Sequence, residues 1–353
     1  MKKYNQKSFL LALMTLILAG MLLAGCGPQP GSAQPEATPS APVVAAVSAS
    51  PTAQPSPTSL PGKALLYAPA GINPQPVQDV LAGLSGSSGL VLENRAELRR
   101  EDLTPEIRVV VLLAVPGNLE ELLAAAPQTQ FVAVASSDLP SVANLTVLRQ
   151  RSEYQAFLGG FIAVLVSPEY RAAGLFPSDG PLGTTLADAF VNGGKYYCGV
   201  CASGWPYNAY YPQTATLPSA SDGAAWQSTL APLFDAQMAD VLYLAPEAVR
   251  PEVIAYLQGK TQFERTVMLI GEQVPAEELR PQWAASVGFD VQAALQDVWP
   301  DVAVGKGRGV VELPLAVTDV NENVLGPGRM RLVDEVLVEL KAGMIYPFTL
   351  PLE

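Results

Sequence analysis

The chain has 353 residues, with 21 basic and 33 acidic side chains, a formal charge of −12, three cysteines and no histidine. So acidic a body is a poor match for nucleic acid or anionic lipid headgroups, whose recognition relies on Lys and Arg clusters that neutralise phosphates. The lack of histidine removes the commonest general base and the commonest metal ligand together, which argues against an enzyme and against a resident metal or cofactor.

At the N-terminus Lys2, Lys3 and Lys7 precede an apolar run from Phe9 to Ala24 that stops at Leu23-Ala24-Gly25-Cys26. This run of sixteen residues falls short of the roughly 20 needed to span a hydrocarbon core about 30 Å thick. A basic front, an apolar middle and small residues before a cut make a secretory signal, and the cysteine after Gly25 resembles a bacterial lipobox. The resemblance implies cleavage before Cys26, a lipid on its thiol, and an extracytoplasmic protein anchored to the cell membrane. Loss of residues 1–25 removes three lysines and no acid, so the formal charge falls from −12 to −15.

From Gly27 to Gly62 the sequence holds nine prolines, with Glu36 as its only charged residue. No apolar periodicity is present to offset ordering entropy, so residues 26–62 are expected to form a lipid-anchored, disordered tether. The remaining chain alternates strand and helix. Lys63–Tyr67 reads as a strand, Pro76–Leu84 as a helix, Gly89–Glu93 and Val109–Val115 as strands, Leu119–Ala126 as a helix, and Phe131–Ala135 and Leu145–Arg149 as strands. Tyr154–Val166 reads as a long helix, followed by a strand at Ala172–Phe176, a helix at Leu182–Gly193, a strand at Tyr210–Leu217 and a helix at Ala224–Ala236. Val241–Ala245 (strand), Pro251–Gln258 (helix), Thr266–Ile270 and Trp283–Val287 (strands) and Val291–Val298 (helix) continue the series. Gly309–Val317 is β-rich and Arg331–Ala342 fits an amphipathic helix. Short apolar runs separated by helices imply parallel βαβ units. The expected plan is an α/β fold with a first lobe over 63–166, a second over 167–308, and a return segment, 309–353, packing across both. A ligand cleft belongs between lobes, beyond the carboxyl ends of strands.

The segment Ser152-Glu153-Tyr154-Gln155-Ala156-Phe157-Leu158-Gly159-Gly160-Phe161-Ile162-Ala163, the strand Phe131–Val134 before it and Val267-Met268-Leu269-Ile270-Gly271-Glu272 after it resemble the basic membrane protein family. These are substrate-binding lipoproteins of ABC importers with the type I periplasmic-binding-protein fold, several of which bind purine nucleosides. The resemblance implies a monomer that passes a small, nucleoside-like ligand to an ABC permease, and it implies a ligand-binding role for the acidic strand end at Glu272. Pro177-Ser178-Asp179-Gly180 stands where the family commonly has a Gly-Gly pair, and no lysine of the family's late strand has a counterpart in Ala284–Asp290.

Other candidates come from strand ends alone. Asn73 follows the first strand beside Gly71, Ser136, Ser137 and Asp138 follow Phe131–Ala135, and Asp179 follows Ala172–Phe176; each also suits a turn or helix cap. Trp205 and Tyr207 belong to an aromatic stretch from Tyr196 to Tyr211 and suit either a cleft wall or a loop anchor. Cys198-Gly199-Val200-Cys201 is read as a small structural disulfide, with free thiols or a redox pair as alternatives; zinc would need about four ligands. Gly305-Lys306-Gly307-Arg308-Gly309 lacks the Ser/Thr and spacing of a phosphate loop. The expected function is therefore a lipid-anchored solute-binding protein, with a ligand-sensing receptor or an orphan envelope lipoprotein as rivals.

The anchor carries a direct expectation. Cys26→Ser should leave an uncleaved precursor or a freely released protein, whereas the natural protein should carry a diacylglycerol adduct at residue 26 in N-terminal mass spectrometry; cleavage elsewhere would contradict it.

Overall fold

Strands built almost wholly of Val, Leu, Ala and Ile are buried on both faces, so helices must cover each side of the sheets they form. The computed structural model describes residues 62–202 and 209–348. Cys26, the proline-rich stretch, Trp205 and Tyr207 lie outside the described residues.

Strands β1 (Gly62–Tyr67), β2 (Leu90–Arg95), β3 (Ile107–Leu112), β4 (Gln130–Ala135) and β5 (Leu145–Arg149) are interspersed with helices α1 (Gln75–Ser87) and α2 (Leu119–Ala125). A second series follows: α3 (Ser152–Val166), β6 (Ala172–Pro177), α4 (Thr185–Cys198), β7 (Gln213–Leu217), α5 (Gly223–Asp235), β8 (Val241–Leu244), α6 (Pro251–Leu257), β9 (Met268–Gly271) and β10 (Trp283–Phe289). The chain closes with α7 (Val291–Val302), β11 (Gly309–Glu312), β12 (Leu315–Thr318) and α8 (Pro327–Lys341). One six-stranded sheet has the order β11-β5-β4-β3-β1-β2 and the other β12-β10-β9-β8-β6-β7. All ladders in these sheets are parallel except β10 with β12.

Alternation along β3 shows how each sheet serves two cores. Val109 and Val111 join Val77 and Leu81 of α1 and Leu295, Val298 and Trp299 of α7, while Val110 and Leu112 face Leu119, Leu122 and Leu123 of α2. The second sheet buries one face under α3, α4 and α8 and the other under α5 and α6.

The chain passes between sheets three times: from β5 into α3, from β10 into α7, and from β11 into β12. These passages are tied together by backbone bonds, Leu313 N–H to the Arg149 carbonyl (2.9 Å) and Asp290 N–H to the Pro314 carbonyl (2.9 Å). Arg151 adds side-chain bonds to Glu153 (2.5 Å) and Glu312 (2.8 Å). A helix in such a fold packs on the sheet whose strand it feeds. Hence α3, grouped with the first lobe from sequence, packs on the second sheet, and α7, grouped with the second, packs on the first.

Besides shifts of a few residues at element ends, three differences from the sequence reading change how the chain is laid out. The β-rich run 309–317 is two strands in different sheets, divided at Leu313-Pro314. The strand expected over Tyr210–Leu217 breaks at Pro212, which has no N–H to give a ladder, and Tyr210–Tyr211 instead pairs with Cys201–Ala202. Helix α4 does not stop at Gly193 but runs to Cys198, and Cys198 and Cys201 form a disulfide with Cα atoms 5.4 Å apart.

Gly193 is inside the helix because its missing side chain is needed there. A Cβ on Gly193 would strike the Phe157 carbonyl, and one on Gly160 would strike the Phe190 carbonyl. Helices α3 and α4 thus meet backbone to backbone, and α3 is apolar all round because sheet, α4 and α8 enclose it. Gly160→Ala should lower stability by roughly 1–3 kcal/mol, the range for overpacking a core, measured as a fall in the urea midpoint; an unchanged midpoint would contradict the close approach.

Candidate functional site

The parallel strands of both sheets end at a common slot. Ser136 follows β4 and Gln150 follows β5, while Pro246 and Glu247 follow β8 and Glu272 follows β9. With Ser152, Gln155, Phe176, Leu186, Tyr243 and Phe289 they line a cavity of about 220 Å³. Two further cavities share its walls. One of about 270 Å³ meets it at Pro246 and Glu272 and extends to Gly71 and Trp283. Another of about 130 Å³ shares Ser136, Ser152, Leu186 and Glu247 and extends to Asp179 and Ser219. Together they reach the size of small-molecule sites, about 300–1,000 Å³.

Local sequence explains the placement. Pro246, with its fixed φ, starts a short 3₁₀ turn after β8 and brings Glu247 into its first residues. Glu272 directly follows β9, whose Leu269 and Ile270 are fully buried. Ser152 and Gln155 enter from the first turn of α3, where the Gln155 amide donates to the Val287 carbonyl (2.7 Å). Tyr243 is the polar member of the buried run Val241-Leu242-Tyr243-Leu244. Its ring stacks on Phe176 (centroids 5.3 Å apart, 19° between planes) and lies where a Cβ on Gly159 would fall.

The polar groups of the slot are largely unpaired. Neither Glu247 nor Glu272 has a hydrogen-bond or ion-pair partner among the described residues, and no Lys or Arg lines any of the three cavities. Burial, reinforced by the nearby Glu247 carboxylate, pushes the Glu272 carboxyl above the usual range. Tyr243 is only 2% exposed, and burial together with the two carboxylates drives its phenol well above its ordinary value. Ser136, Gln150, Ser152 and Tyr243 can donate as well as accept, so the two unpaired carboxylates are what favour a ligand rich in hydrogen-bond donors.

Of the residues expected from sequence, Ser136 and Glu272 line the slot. Asp179 lines its third cavity, yet both carboxylate oxygens accept from Ser219, the N–H at 2.8 Å and the hydroxyl at 3.0 Å, which holds its pKa below the usual value. Asn73 is exposed and accepts the Gln75 N–H (3.1 Å), closing the turn before α1. Asp138 points outward, with its side chain 88% exposed and paired to Arg149. Tyr196 and Tyr197 pack on Phe157 and Phe161 of α3, and Tyr196 donates to Glu339 (2.7 Å) of α8, away from the slot. Sequence reading missed Glu247, Tyr243 and Gln155. Glu247 obeys the same strand-end rule as Glu272, and a lone tyrosine in an apolar buried strand was a signal for Tyr243.

No family model matches the chain, and no curated protein does. Solved structures do resemble it. A solute-binding protein of an ABC transporter system from Conexibacter woesei superposes with a TM-score of 0.60 at 14% identity, covering 81% of this chain and 98% of its own. One from Aeropyrum pernix gives 0.57 at 16%, covering 83% and 94%. A transcriptional activator of the comK gene from Bacillus halodurans gives 0.59 at 14%, covering 81% and 100%. At these identities the likeness shows the fold: an α/β, two-lobed, type I periplasmic-binding-protein-like architecture. Among the described residues no helix is long and apolar enough to cross a membrane.

Glu272 gives the site a pH signature. Its folded-state pKa lies above the unfolded value, so protonation favours the fold; that contribution is fully present below about pH 4.5 and is lost as pH rises through the raised folded value. Glu272→Gln, permanently neutral, should therefore melt above the natural protein at pH 7 without ligand, and the gap should close as pH falls toward 4.5. Equal melting temperatures at pH 7 would contradict the burial.

Proposed function

We propose that this chain is an extracytoplasmic solute-binding protein, tethered to a membrane by a lipid on Cys26, which closes on a small donor-rich ligand and passes it to an ABC importer. One observation carries the reading: residues after strands of both sheets converge on one slot, where unpaired acceptors wait for donors. Three chain passages at the slot's side are the natural hinge. A ligand touching both lobes favours the closed arrangement by its differential contacts, and closure alters the surface a permease meets. Nucleosides suit the slot through ribose hydroxyls on the carboxylates and a base on Phe289. The narrower placement beside the basic membrane protein family rests on the Ser152–Ala163 segment and the strand ends named above. A sensing role draws support from the regulator among the similar structures, whose name is that of a transcriptional activator.

The test is a thermal-shift screen of the full-length protein against nucleosides, sugars, amino acids and amines, with small-angle scattering on any compound that binds. A ligand at 100 Kd that binds only the folded state adds about 2.7 kcal/mol. A raised melting temperature with a smaller radius of gyration is expected. A panel that leaves both unchanged would contradict solute binding.

A further inference from the structure

The slot has two unpaired carboxylates and no counter-charge, and that imbalance narrows what fits. Resting on the solute-binding reading, we propose that the ligand is a small organic cation, an amine or guanidine with an apolar body, held by the Glu247 and Glu272 carboxylates among the rings of Phe176, Tyr243 and Phe289. Both glutamates line one cavity of about 220 Å³, and neither has a protein partner among the described residues. The arginines at the first chain passage are already committed, Arg149 to Asp138 and Arg151 to Glu153 and Glu312.

A second observation is independent of the acids. Tyr243 is 2% exposed, its hydroxyl makes no hydrogen bond among the described residues, and it lines the same cavity. Gln155, 6% exposed, has its amide nitrogen committed to Val287 and its oxygen unpartnered. Neither the hydroxyl nor the amide oxygen is sealed off from the cavity, so each is open to a ligand's donors. Burial of Glu272 and the Glu247 charge beside it are unfavourable unless a positive group answers them, and a neutral polyol would leave that repulsion in place. A cation compensates them, and the half-buried Phe289 ring in the slot wall is left to meet its apolar body.

An inorganic cation fits less well. Calcium takes six to eight oxygen ligands, whereas the described residues hold no group of three His, Cys, Asp or Glu able to bind a metal, and Ala156, Leu186 and the rings supply apolar walls. The positive pole of α3 also faces the cleft, but buried Glu153 in its first turn answers it.

The experiment uses full-length protein and a matched series: tyramine and agmatine as cations, tyrosol as the uncharged counterpart of tyramine, tyrosine as the zwitterion, and adenosine as a neutral nucleoside. Thermal shift and calorimetry should show a cation binding and its uncharged or zwitterionic counterpart weaker by at least about tenfold. Glu247→Gln and Glu272→Gln should each weaken the cation by about tenfold or more, in line with losing one partner of a buried charge pair; circular dichroism confirms that each variant is folded. Cation binding that survives both substitutions would overturn the assignment, as would stabilisation by calcium chloride alone. Adenosine binding with no response to either cation would overturn the charge inference and leave solute binding standing. Silence across this series and the wider panel would count against both.

Discussion

Helices α3 and α4 touch through their backbones, and the rest of the molecule is arranged around that contact. Gly160 lies against the Phe190 carbonyl and Gly193 against the Phe157 carbonyl, leaving no room for a methyl group at either place. Because α3 is drawn in so closely, the chain that leaves β5 of the first sheet is fixed on the second. The first turn of α3 then delivers Ser152 and Gln155 to the slot, and Gly159 leaves space for the Tyr243 ring. Packing at the core of one lobe thus sets the polar geometry between the two.

That geometry is bought with stability. A carboxylate taken from water without a partner is unfavourable, and burial of Glu272 beside the Glu247 charge pushes its carboxyl above the usual range. Functional sites commonly hold such strained groups, since a ligand can realise the missing interaction where a self-satisfied site cannot. Asp179 is the contrast. Its oxygens are filled by Ser219, so it stabilises a loop and has little left to offer a ligand.

The alternation of apolar strand and helix was legible because parallel strands buried on both faces read as continuous Val, Leu and Ala runs. Glu272 and Ser136 were legible because ligands in such sheets collect at strand ends. Asn73 and Asp138 obey the same rule and yet face solvent, since the rule gives the end of the strand and not the direction of the side chain. Gly193 was misread as a helix stop because a glycine required for close packing and one that ends a helix look alike in a single sequence. Leu313-Pro314 hid a passage between sheets for a related reason: strand propensity is local, whereas sheet membership is set by distant partners. That Glu247 and Glu272 face one slot, with helix α6 and strand β9 between them in the chain, has no local signature.

An unpaired, desolvated carboxylate at the mouth of β9 is the central claim, and it can be measured without knowing the ligand. Carboxyl carbon NMR on glutamate-labelled protein, with Glu272 assigned through Glu272→Gln, reports its titration directly. The structure predicts a pKa above the ordinary glutamate value near 4.5 that falls when Glu247 is replaced by Gln. An ordinary value, unmoved by Glu247→Gln, would contradict it.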